Sequence, residues 1–139
     1  MSNKSWTIKD ANTCYHIDRW GDGYFKINEK GELIVHPEGR PSEIAISVLE
    51  VIKEALEEGV QLPVVLRFHD ILRSRVRNLN RIFKKTITRL GYQGVYRGVY
   101  PIKVNQMREV VEEIIDAGEP FQFGLEAGSK AELLSVLAY

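Results

Sequence analysis

A chain of 139 residues has the size of one ordinary domain, and its 44% hydrophobic content supports a core and excludes disorder. Nineteen Lys and Arg balance nineteen Asp and Glu, so no net field points to nucleic acid or an anionic membrane. The single cysteine, Cys14, cannot form an internal disulfide and suits a reducing cytoplasm. No apolar run approaches the ~20 residues of a membrane span, and the opening "MSNKSWTIKD" lacks the apolar core of a secretory signal.

Aromatic and β-branched runs cut by glycine turns predict strands near 15–18, 23–28 and 32–35, with "NEKG" as a hairpin turn. "PEGRP" breaks the pattern, and Ser42 reads as a helix N-cap. Ile44, Val48, Leu49, Ile52, Ala55 and Leu56 then recur at helical spacing over 43–58, and Gly59 ends that helix. "LPVVLRF" (62–68) reads as a short apolar strand and 70–90 as a helix closed by Gly91. "GVYRGVYPIKV" (94–104) reads as a second strand, 107–117 as a helix closed by Gly118, "FQFGLE" (121–126) as a third strand and 129–139 as a last helix. Strand and helix in alternation predict parallel βαβ units. Such a sheet needs both faces covered or closure into a barrel, and three strands achieve neither. The helical pattern also runs uncapped to Leu137-Ala138-Tyr139, which reads as the opening of a larger protein.

The segment 67–89 carries Arg67, Arg73, Arg75, Arg77, Arg81, Lys84, Lys85 and Arg89. A nucleic-acid patch is one reading. A solvated face is the other, opposed by Glu109, Glu112, Glu113 and Asp116 on the next helix, and the balanced total charge favours it. His16, His36 and His69 show no metal-ligand spacing with one another or with Cys14, so no metal site is expected. His69-Asp70 falls where a first strand ends, a position at which α/β proteins place active sites, though it equally suits a plain strand-to-helix junction. Neither a dinucleotide fingerprint nor a P-loop is present. Ser129 reads as an N-cap. Lys103 stands out, a charged residue within an apolar strand and followed by Asn105-Gln106. It either snorkels to solvent or serves as a desolvated amine able to form a Schiff base with an aldehyde.

"GVYPIKVNQ" (98–106) resembles the cofactor-lysine segment of the biosynthetic arginine decarboxylases, pyridoxal-phosphate enzymes of the alanine-racemase-like fold type. "GLEAGSKAEL" (124–133) resembles their next strand-to-helix junction, "YHIDRWGDGYFKIN" (15–28) their N-terminal segment and "LPVVLRFHDILRSRV" (62–76) their first barrel strand and helix. The resemblance covers nearly the whole chain in order. More distant relatives, the ornithine and diaminopimelate decarboxylases, share only a looser Tyr-x-x-Lys-x-Asn pattern, here Tyr100 to Asn105. The implied fold is α/β: the opening units of a (β/α)₈ barrel over 41–139, incomplete in this chain, preceded by strands in 1–40 that join a separate β-domain. The implied chemistry is decarboxylation of L-arginine to agmatine and CO₂ for putrescine and spermidine synthesis, by a cytoplasmic enzyme that is a homodimer or higher oligomer and engages neither nucleic acid nor membrane. The resemblance assigns pyridoxal 5'-phosphate to Lys103, a strand-positioning role to Asn105, and cofactor-side places to Glu126 and His69. It also allows Mg²⁺.

The family's enzymes are several times longer than this chain, so 139 residues alone are expected to be inactive. A non-catalytic module that binds a partner through an open sheet edge is the reading from another class. Decarboxylation of another basic amino acid is the nearer alternative.

Overall fold

The computed structural model describes residues 5–39 and 43–139, and these divide into two units between Phe68 and His69. The first unit opens with a capping box. Thr7 Oγ1 accepts the Asp10 N–H at 3.2 Å while the Asp10 carboxylate accepts the Thr7 N–H at 3.0 Å. That reciprocal cap starts helix α1 (Ile8–Tyr15), and His16, left-handed at φ 52°, turns the chain into the short helix α2 (Ile17–Trp20). The strand predicted near 15–18 is therefore helical. A local cap upstream outweighs the strand preference of the aromatic and β-branched residues, a preference that depends on a partner strand to be realised.

Strands β1 (Phe25–Ile27) and β2 (Leu33–Val35) pair antiparallel, with Phe25 opposite Val35. Their turn is the one expected at "NEKG". Asn28 Oδ1 accepts the N–H groups of Lys30 and Glu32, and Gly31 takes φ +83°, a conformation costly for any residue with a β-carbon. A third strand, β3 (Ile46–Ser47), adds to β2 through Val35–Ile46. Ile17, Tyr24, Ile27 and the fully buried Val35 form this unit's core. Helix α3 (Val48–Glu57) starts later than the predicted 43 because β3 precedes it, and Ser47 caps it by accepting the Glu50 N–H. The cap expected at Ser42 lies outside the described residues. Gly59, at φ +89°, ends the helix region as expected.

The second unit begins with helix α4 (His69–Leu90), which packs against helix α5 (Arg108–Gly118). Between them lies strand β4 (Val99–Pro101), and after α5 comes strand β5 (Gly124–Glu126). The two strands are parallel, with Val99 opposite Gly124 and Pro101 opposite Glu126. Helix α6 (Lys130–Leu137) comes last, capped by Ser129 as the sequence suggests. Ile102, Val110, Val111, Ile114 and Ala117 are the buried apolar residues. Phe123 fits because Gly98 and Gly118 flank it. A β-carbon at either glycine would overlap its side chain.

Of the three strands expected to alternate with helices after residue 60, two are shorter than the apolar runs suggest and one does not form. Residues 62–68 make no ladder among the described residues. An apolar run signals burial, but it does not name a partner for its backbone N–H and C=O groups. The run 94–104 forms a strand only at Val99–Pro101. Pro101 offers no N–H, and Ile102–Val104 wind into a 3₁₀ turn. Thus the α/β character and the parallel pairing hold, with two parallel strands in place of three. No helix among the described residues is long and apolar enough to cross a membrane.

Candidate functional site

Lys103 sits at the centre of the 3₁₀ turn that leaves the C-terminal end of β4. The sequence suggested a lysine inside a buried strand. Instead the strand ends two residues earlier, and Lys103 and Val104 are exposed while their neighbour Ile102 is fully buried. Ile102 therefore roots the turn in the core and Lys103 presents its amine outward. Asn105 shapes the exit from the turn, its side-chain oxygen accepting the Met107 N–H at 2.9 Å just before α5 begins. Tyr100 O–H donates to the Asn105 carbonyl at 3.2 Å, closing the turn across Lys103. Burial raises the Tyr100 pKa, and the hydrogen bond to Asn105 pulls the other way.

Glu126 ends β5 directly opposite Pro101, so the ladder brings its backbone beside the residue that opens the lysine turn. Its side chain is half-buried. One carboxylate oxygen stands 3.5 Å from where a β-carbon on Gly128 would lie, and the Glu132 carboxylate, which accepts the Gly128 N–H at 2.6 Å, stands 3.4 Å from that point. No ion pair joins Glu126 to Lys103 or Lys130 among the described residues.

His69 opens α4 and faces a different partner. Its Nδ1 lies 3.7 Å from Glu113 on α5. The other Glu113 oxygen accepts the Arg73 guanidinium, which also reaches Asp116 at 4.0 Å. The Arg73 hydrogen bond, with help from His69, holds the Glu113 carboxyl below the ordinary glutamate range. Of the acids expected to oppose the basic α4 face, this cluster brings Glu113 and Asp116 to Arg73. Lys103, Asn105 and Glu126 therefore gather at one end of the parallel pair, while His69 is committed to the α4–α5 cluster. The sequence reading expected Glu113 among the acids opposing the basic segment but gave no site role to Tyr100. The Tyr-x-x-Lys-x-Asn spacing already carried the signal for Tyr100.

Because the folded state depresses the Glu113 pKa, its contribution is fully present above the ordinary glutamate pKa and is lost as pH falls through the lower folded value. We expect Glu113→Gln to lower the urea midpoint at pH 7 by a small amount, as partly exposed pairs do. The gap between variant and parent should shrink toward pH 3. A gap that is constant with pH would show that the ion pairs carry no stability.

The fold and site define an α/β unit that presents an exposed lysine at the carboxyl ends of parallel strands, the edge at which such folds place their chemistry. No protein-family model matches the chain. It is similar over nearly its whole length to biosynthetic arginine decarboxylases. It is 47% identical over 135 residues to that of Gloeobacter violaceus, covering 97% of this chain and 21% of that protein. It is 46% identical over 136 residues to that of Rhodopirellula baltica, covering 98% and 20%. The crystal structure of the biosynthetic arginine decarboxylase of Campylobacter jejuni superposes with a TM-score of 0.81 at 35% identity, over 90% of this chain and 20% of that one. The resemblance expected from the lysine motif therefore holds in sequence and in fold, and the chain spans about a fifth of the length of the curated relatives it matches.

Proposed function

We propose that this chain is the N-terminal part of a biosynthetic arginine decarboxylase, which converts L-arginine to agmatine and CO₂ for polyamine synthesis in the cytoplasm. The observation that carries the reading is the exposed Lys103 on its rooted turn, within a chain that matches part of these enzymes over 97% of its own length. An accessible primary amine at the strand end that Glu126 also reaches fits an aldehyde cofactor, and pyridoxal 5'-phosphate, when bound, supplies the electron sink that decarboxylation requires. Lys103 would hold it covalently through Nζ and give way to the substrate amino group. Asn105 would fix the turn from which that amine projects, through its bond to the Met107 N–H. Glu126 would face the cofactor from the neighbouring strand. A cofactor-side role for His69 would require its ring to leave Glu113. The family resemblance also allows Mg²⁺, for which no group of three or more His, Cys, Asp or Glu is present among the described residues.

The parallel β4–α5–β5 unit suits the opening of a (β/α)₈ barrel, and the antiparallel strands before it suit a separate β-domain. The four fifths of the relatives' length without counterpart here would supply the rest of the barrel, the phosphate site and the oligomer contacts. On this reading the 139 residues alone do not decarboxylate arginine.

Borohydride reduction of the native polypeptide with pyridoxal phosphate is expected to leave a phosphopyridoxyl group on the peptide containing Lys103. A label confined to another lysine would overturn the assignment.

A further inference from the structure

We infer that Tyr100 and Tyr139 are positioning residues that clamp the Lys103 turn, an inference that rests on the reading of Lys103 as the cofactor lysine. Two consecutive carbonyls beyond the lysine each accept a phenolic O–H. Asn105 receives Tyr100 at 3.2 Å, and Gln106 receives Tyr139 at 3.0 Å. One phenol comes from β4, just ahead of the turn, and the other from beyond α6, 33 positions along the chain from its acceptor. Ahead of the lysine, the ladder at Pro101–Glu126 and the buried Ile102 fix the backbone. Beyond it, the two phenols and the Asn105–Met107 bond do the same.

The geometry of a long exposed amine explains why this matters. The Lys103 side chain is flexible and its tip must be free to attack a carbonyl carbon. The protein can direct it without touching it only by fixing the backbone from which it projects. Burial favours the protonated form of Tyr100, which keeps that phenol a donor. Neither tyrosine need contact the reacting atoms.

The test uses Tyr100→Phe and Tyr139→Phe in the native polypeptide, since each removes a hydroxyl and leaves the ring in place. Labelling by pyridoxal phosphate and borohydride is followed at Lys103 and, as an internal reference, at the exposed Lys84 on α4. Amide exchange is followed at Met107 and at Ile114. Each variant is expected to slow labelling of Lys103 about fivefold, the scale of one lost hydrogen bond, with Lys84 unchanged. Exchange at Met107 should quicken while Ile114 keeps its protection. Unchanged labelling at Lys103 in both variants, with Met107 exchange quickened, would overturn the inference, as would unchanged Met107 exchange. Absence of any Lys103 label in the parent protein would overturn the cofactor reading instead, and the exchange at Met107 would still decide whether the clamp exists. Should Tyr100→Phe fail to fold, the more exposed Tyr139 carries the test alone.

Discussion

Replacing Lys103 by arginine is expected to abolish decarboxylation by the native polypeptide, with a fall in kcat of about three orders of magnitude or more. Arginine keeps the positive charge and most of the length, but its guanidinium stays protonated and forms no Schiff base at neutral pH. Because Lys103 is exposed and roots nothing in the core, the same substitution should change unfolding free energy by no more than about 0.5 kcal/mol. The pair of measurements separates chemistry from folding. Loss of activity with an unchanged melting curve supports the assignment, and retained activity would sink it. The property the reaction needs and arginine lacks is the availability of a neutral amine.

The second large effect concerns the residue next door. Ile102 is fully buried at the start of the 3₁₀ turn. Truncation to alanine removes three carbon atoms from a packed site and leaves a void, for which core substitutions of this kind cost about 2–5 kcal/mol. We expect Ile102→Ala to lower the urea-unfolding free energy by about 3 kcal/mol. Activity per folded molecule should fall as well, because the turn loses its root. A change below about 0.5 kcal/mol, the range of surface substitutions, would mean that Ile102 is not buried in solution.

Adjacent residues thus play opposite parts, and the sequence signalled only one of them. Lys103 was legible because a charge amid Val99, Tyr100, Ile102 and Val104 violates the pattern around it. Its environment was not legible, since alternation within a strand would have placed Lys103 opposite its neighbours in a pleat. Pro101 prevented that by withholding an N–H. The helices over 69–90 and 108–118 were readable because each repeats an apolar face, and these two and the helix over 130–137 each carry a glycine or serine boundary signal in the chain. The helices at 8–20 were not, because their capping box spends only Thr7 and Asp10 in a segment rich in strand-forming residues. Strand pairing was the least legible feature. Nothing in "LPVVLRF" states which backbone it meets, whereas β4 and β5 are brought together by the buried face of α5 and by the glycines that admit Phe123. The same pairing sets Glu126 opposite Pro101 at the start of the lysine turn, while the commitment of His69 to Glu113 depends on how α4 lies against α5, which no local pattern encodes.

The β4–α5–β5 unit has a consequence for the time course of assembly. The ladder partners Val99 and Gly124 are 25 positions apart in the chain, and 11 of the intervening residues are wound into α5. Closing so short a loop costs little entropy, and contacts of such small sequence separation form early. During synthesis the two strand ends that carry Lys103 and Glu126 can meet as soon as α6 clears the ribosome, before any later segment exists. The cofactor lysine of the proposed enzyme would then be in place at the first stage of folding, and every strand added afterwards would be built around it.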